Sequence, residues 1–337
     1  MKRGCAVLVT SKSQSKIRIS DEPAFVLHRY DWSESSLVLD VFTRHLGRLA
    51  LVAKGAKRPH SNLRPVLMPL QPLELNFSGE QEVRTLTAAH WRGGHVFPRG
   101  DSLLAGFYLN ELVLKLLARE DPHEQLFDFY AQVVQILASG LESTLWPLMR
   151  AFELLILRGL GLLPNLDAQS ANLQPLKPNE QYTLLAPLGL MSVQGASVER
   201  MGWEVSLTSR ASRTFTGPSS EQEPLVEALV MTSPTTTAVA SSGLSQLDPT
   251  ASWGGGGVAG GLGAGGAHQH GLSGERWETL ARALQSNQPL TQTLRVCAEM
   301  QAFERASLQS QLRAWLTHHC GGVGLKTRQF MVDIHAL

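Results

Sequence analysis

Between Val41 and Leu73 the chain carries six basic side chains and no acidic one: Arg44, Arg48, Lys54, Lys57, Arg58 and Arg64. Ammonium and guanidinium groups at this density suit phosphate, the first as point charges and the second as planar forks that meet two oxygens at once. A loop that merely faces water usually mixes both signs, and this stretch does not. Residues 1–100 hold 15 Lys and Arg against 8 Asp and Glu, although the whole chain holds 30 against 29. The net charge of +1 therefore hides a basic N-terminal part and an acidic remainder. Such asymmetry points to a phosphate-binding module joined to a module of another kind. Tyr30 and Trp32 lie just before the strip and could stack on bases, whereas Phe42 and Phe77 fall within apolar runs and read as core.

The remaining chemistry-bearing residues lack the spacing of a site. Gly261, Gly263 and Gly266 satisfy GxGxxG, but inside a glycine tract with no strand before it to aim a helix N-terminus at a pyrophosphate. GxxxxGK[ST], GxSxG and HExxH do not occur, so no triphosphate loop, nucleophile elbow or zinc-protease pair is expected. His268 with His270, and His318 with His319 and Cys320, want the further ligands a metal requires. The cysteines, Cys5, Cys297 and Cys320, are odd in number and far apart, as ordinary thiols of a reducing compartment would be. The expectation is a non-enzymatic protein without metal or cofactor. Lys115, Arg119, Arg150 and Arg158 flank apolar helical faces. They are either plain amphipathic edges or the rim of a groove for an acidic peptide ending in an aromatic residue.

The elements that must position these residues change period near residue 100. Ala24–His28, Ser36–Phe42, Arg48–Ala53, Leu70–Phe77 and Val83–Ala88 are short apolar or alternating runs, and His45-Leu46-Gly47 marks a tight connection. Five strands in so short a span predict a small Greek-key barrel of the OB type. From Asp101, read as a cap, Leu103, Leu104, Phe107, Leu109, Leu112, Leu116 and Leu117 recur at helical spacing. Further helices are predicted over about 122–138, 144–160, 275–285 and 291–317, with a short hairpin over 181–192. Residues 208–274, rich in Gly, Ser, Thr and Pro, read as a disordered insertion. The fold class is thus α+β: an N-terminal extension at 1–21, a barrel at 22–95, and a helical domain at 101–192 and 275–330 split by that insertion. No window is long and apolar enough to span a membrane, and the apolar run Cys5–Val9 is too short for a secretory signal, so a cytoplasmic location is expected.

Several segments together resemble the RecO family of recombination mediators. They are Val26-Leu27-His28-Arg29, the stretch from Glu34-Ser35-Ser36 through Gly47, and Val52-Ala53-Lys54-Gly55-Ala56-Lys57-Arg58. The likeness continues in Ala105–Leu112, Asp121–Phe127, Arg150–Leu155 and Leu325–Arg328, covering about 22–192 and 275–330. The resemblance implies an OB barrel followed by helices, binding of single- and double-stranded DNA, and annealing of complementary strands. It also implies engagement of the C-terminal tail of single-stranded DNA-binding protein and, with RecR, loading of RecA onto coated strands, with association to the nucleoid during repair. Carried over residue by residue, it makes Arg29, Arg44, Arg48, Lys54, Lys57, Arg58 and Arg64 the DNA-binding candidates, and Lys115, Arg119, Arg150 and Arg158 those for the acidic tail. Many relatives carry a four-cysteine zinc module after the third helix; the segment Leu163–Asp167 has no cysteine nearby, so none is expected. The competing reading is an adaptor that recognises RNA or acidic protein tails through the same barrel.

Overall fold

The computed structural model describes residues 18–94, 96–193, 271–322 and 324–327. The strands are β1 (Arg18–Asp31), β2 (Leu37–Thr43), β3 (Gly47–Ala53), β4 (Leu73–Ser78) and β5 (Val83–Trp91). They close in the order β1-β2-β3-β5-β4, with β4 pairing back onto β1 and β3 running parallel to β5, which is the OB arrangement. Inward residues alternate along β4, where Leu73, Leu75 and Phe77 are buried and Glu74 and Asn76 are not. With Val26, Leu39, Val41, Leu49 and Leu51 they fill the barrel. β1 is longer than the apolar run suggested. It starts at Arg18, inside the expected N-terminal extension, because Arg18 and Ile19 pair with Ser78 and Phe77.

The helices are α1 (Gly100–Leu116), α2 (Glu124–Ala138), α3 (Leu145–Gly159), α4 (Gly274–Gln285), α5 (Pro289–Ala298) and α6 (Ala302–His319). Asp101 is not the cap of α1 but lies in its first turn, where a carboxylate meets the positive end of the helix dipole. α3 ends as its glycines suggested: Gly161 has φ +68°, and Leu162 N–H and Gly161 N–H donate back to Leu157 O and Arg158 O. The single helix expected over 291–317 is two. Gln301 and Glu304 form a reciprocal capping box that starts α6, and the Arg305 guanidinium donates to Ala298 O and Met300 O across the break.

The hairpin of β6 (Gln181–Leu185) and β7 (Gly189–Ser192) gains a third strand, β8 (Leu272–Ser273). Most of the expected insertion lies outside the described residues, but its last four, 271–274, belong to the packed domain. Here composition misled. A Cβ on Gly271 would come within 2.6 Å of Tyr182 O, and one on Gly274 within 2.3 Å of Lys177 O, so these glycines serve close packing.

Barrel and helices share a built seam. A bulge in β1 displaces Leu27 from the ladder with β2. The Leu27 carbonyl instead accepts a bond from Asn110 Nδ2 of α1 at 3.0 Å, and Asn110 Oδ1 accepts from Tyr130 Oη of α2 at 2.5 Å. Burial holds the Tyr130 phenol firmly protonated and therefore a donor. Phe25 and Phe42 of the barrel meet Phe127 and Tyr130 with ring centroids 5.0 to 5.9 Å apart. Gly47, at φ +71°, lets the β2–β3 turn approach the α1–α2 connection so closely that a Cβ would sit 2.1 Å from Asp121 O.

Asn110→Ala strands two buried polar groups and is expected to cost about 2–5 kcal/mol in urea unfolding. A loss below about 1 kcal/mol would show that this bridge is dispensable. Gly47→Ala combines a left-handed backbone with a backbone clash and is expected to lose at least about 2 kcal/mol by the same measurement.

Candidate nucleic-acid interface

The β2–β3 hairpin sorts the cations expected to bind DNA. Its register runs from Leu37↔Ala53 at one end to Thr43↔Gly47 at the other, a separation on the order of 20 Å. At the Thr43 end, Arg44 is committed to the helical domain. Its Nε and Nη2 donate to the two oxygens of Asp128 at 2.9 and 3.0 Å, and its Nη1 lies 2.9 Å from Glu124. The paired Asp128 carboxylate raises the arginine above its ordinary pKa. Arg48 is likewise spent: Nη1 donates to Leu114 O at 2.8 Å, and its carbonyl accepts from Glu120 N–H. Burial pulls this guanidinium below its ordinary pKa, against the opposing pull of Asp40. Arg44 and Arg48, expected on a phosphate track, are seam residues.

The other five gather at the opposite end. The β3–β4 connection is a chain of tight turns, from Ala56 N–H on Ala53 O through Leu67 N–H on Leu63 O. Ala56 and Leu67 are buried and Leu63 and Val66 pack against the barrel core, so this connection is anchored from beneath. Lys54, Arg58 and Arg64 stand exposed beside these anchors, with no carboxylate at ion-pair distance among the described residues. Gly55, at φ +70°, makes the turn between Lys54 and Arg58. Lys57 turns instead to the β1–β2 loop, its Nζ donating to Ser33 O at 3.1 Å and lying 3.3 Å from Asp31. Arg29, exposed on β1, reaches Leu67 O at 3.2 Å and so borders the same connection. An open depression lined by Pro59, His60, Ser61, Asn62, Arg64 and Pro65 continues the surface.

OB barrels commonly bind through the β1–β2 and β4–β5 loops. In this barrel the β4–β5 loop is acidic, with Glu80 and Glu82 exposed, and Glu82 faces Arg119 at 3.9 Å. The exposed charge there is negative, whereas that of the β3–β4 connection is positive. Of the aromatic candidates, Phe42 and Phe77 are core as expected; Tyr30 is half held against Asp40, whose carboxylate, after burial, raises its phenol pKa. Trp32 is 71% exposed.

The four residues expected at an acidic tail do not converge as one cluster. Arg119 pairs with the buried Asp40 of β2 at 3.1 Å. Arg150 is buried, 2.5 Å from Glu153, which also accepts from Tyr108 Oη. Lys115 and Arg158 are exposed at the C-terminal ends of α1 and α3. Sequence reasoning missed a further arrangement: Trp146 lies under both Arg150 and Arg305, at 6.0 and 5.5 Å from its ring centroid. Arg305 gave no signal because its approach to Trp146 joins α3 to α6 across 159 positions of sequence. Among the described residues no three His, Cys, Asp or Glu side chains are grouped to hold a metal. Cys297 is buried, its thiol pushed up to about 12 by desolvation. No described helix is long and apolar enough to cross a membrane.

The sorting has a consequence for stability. Arg48→Ala leaves Leu114 O without its donor and should cost about 1–3 kcal/mol in urea unfolding. Alanine at Lys54, Arg58 or Arg64 should change stability by less than about 0.5 kcal/mol. Equal costs in both groups would mean that the outer cations are structural too.

Comparison with known proteins agrees with this architecture. The family model described as Recombination protein O N terminal matches residues 18–94, the barrel, and that described as Recombination protein O C terminal matches 99–210. A protein named DNA repair protein RecO from Variovorax paradoxus is 45% identical over 325 residues, 95% of this chain and 98% of its own length. Proteins of the same name from Albidiferax ferrireducens and Polaromonas naphthalenivorans are each 44% identical over 320 residues, with the same coverage.

Proposed function

Because this chain belongs to the recombination protein O (RecO) family, we propose that it acts in DNA repair and recombination by binding single- and double-stranded DNA and annealing complementary strands. One observation carries the reading: five cations, Arg29, Lys54, Lys57, Arg58 and Arg64, border one connection of an OB barrel, and of these only Lys57 has an ion partner among the described residues. Two strands repel through their phosphates. A protein that neutralises part of that charge lowers the repulsion and lets complementary bases meet, with no bond made or broken in the protein and no nucleotide hydrolysed. Displaced counterions supply much of the binding free energy, so affinity follows salt.

Family membership supports the partners as well: RecR, the acidic C-terminal tail of single-stranded DNA-binding protein, and RecA, loaded indirectly onto coated strands. For the tail, the exposed Lys115 and Arg158 remain candidates. The half-buried Trp146 under Arg150 and Arg305 offers what an acidic peptide with a terminal aromatic requires, a ring to pack on and guanidinium groups beside it. Arg119, held by Asp40, is the weakest of the set. A soluble site of action at the nucleoid follows from these partners.

The test is annealing of complementary strands, bare and coated with single-stranded DNA-binding protein. Lys54→Glu, Lys57→Glu and Arg58→Glu together should abolish binding and annealing while the protein remains folded. Wild-type affinity should fall on the order of 10²–10³ between about 50 and 200 mM salt, as about five phosphate contacts require. Normal annealing by the triple variant would sink the assignment. Preference for RNA or for an acidic tail peptide over DNA in the same titrations would favour the adaptor reading.

A further inference from the structure

The β1–β2 loop, Trp32–Ser36, holds a large apolar side chain out in water on a backbone that is unusually well tied. Trp32 N–H and Ser33 N–H both donate to Ser36 O, and Ser36 N–H donates to Ser33 Oγ. From the basic turn, Lys57 N–H donates to Ser35 O at 2.9 Å and Lys57 Nζ to Ser33 O at 3.1 Å. The loop is thus knit to the turn that carries Lys54 and Arg58. An indole that merely lacked a place in the core would gain nothing from such fixing. One that receives a planar ligand gains affinity, because the ordering entropy is already lost in the free protein.

Charge decides how a strand would lie there. The ionic groups at the loop are acidic: Asp31, the last residue of β1, 78% exposed at its side chain though touched by Lys57, and the exposed Glu34 within it. Phosphates are repelled from the loop and attracted to Lys54 and Arg58 on the turn. A strand following the turn with its phosphates therefore directs its bases toward Trp32. Only unpaired bases present a free face, since those of a duplex are stacked and paired inside it.

The geometry points to Trp32 as a base-stacking post that gives this surface its preference for single over double strands, the basic turn serving both. This rests on the DNA-binding reading above and adds the residue that discriminates between the two substrates. Stacking of one base on an aromatic ring is worth on the order of tenfold in affinity or more. It is tolerant of base identity because every base has a π-face.

The experiment titrates the full chain with labelled oligo(dT) and with a duplex of equal length. Trp32→Ala should weaken oligo(dT) binding by about tenfold or more, yet change duplex binding by less than about twofold. Trp32→Phe should keep most of the oligo(dT) affinity and lose the share of emission quenching contributed by this one of seven tryptophans. Unchanged oligo(dT) affinity in Trp32→Ala, or equal loss on both substrates, overturns the inference. The Lys54, Lys57 and Arg58 charge reversals run beside it. If they abolish binding while Trp32→Ala does nothing, stacking fails and the DNA surface stands; if they too do nothing, both fail.

Discussion

The geometry of this molecule hangs on one buried amide. Asn110 gives its Nδ2 to the Leu27 carbonyl, which a bulge has released from the barrel ladder, and receives the Tyr130 hydroxyl on its Oδ1. Strand β1, helix α1 and helix α2 are tied through a single side chain 2% exposed. Buried amides tolerate little movement, because breaking either bond leaves a desolvated polar group without compensation. The aromatic contacts of Phe25 and Phe42 with Phe127 and Tyr130 surround the bridge and keep water from it.

With that seam in place, the role of each cation follows from the end of the β2–β3 hairpin it occupies. Arg44, Arg48 and Arg119 face helices or buried carboxylates and are consumed in ion pairs and carbonyl contacts. Arg29, Lys54, Lys57, Arg58 and Arg64 face away, toward the anchored connection between β3 and β4. Similar side chains thus meet two surroundings: guanidinium forks suit fixed carboxylates, while cations beside the β3–β4 connection, apart from Lys57, keep their charge unpaired among the described residues.

Glycine shows how far residue type speaks by itself. Gly47 and Gly161 sit where turn reasoning put them, and both have positive φ. Gly271 and Gly274, at the end of a tract whose composition reads as linker, are packed against the carbonyls of Tyr182 and Lys177. Local composition describes what a segment prefers when free; it does not contain the distant backbone that later presses on it. The break between α5 and α6 failed to register for a related reason. The helical period continues across it, and it is made by a capping box and an arginine whose partners, though near in sequence, need the turn already formed.

The barrel strands, the first three helices and the basic stretch were legible from alternation, periodicity and charge count, because these depend on side-chain order along the chain. The same order marked Phe42 and Phe77 as core and set Tyr30 and Trp32 apart from it, and both of these are exposed. Which cations remain available was not legible. Arg44 and Arg64 look alike in sequence, and only docking of α2 puts Asp128 against the first and leaves the second in water. Nor could the sequence bring Arg305 over Trp146 beside Arg150, a meeting made by α6 crossing α3. Periodicity sets which face of an element is apolar. Which charges meet across two such faces is decided by packing, and packing exists only in three dimensions.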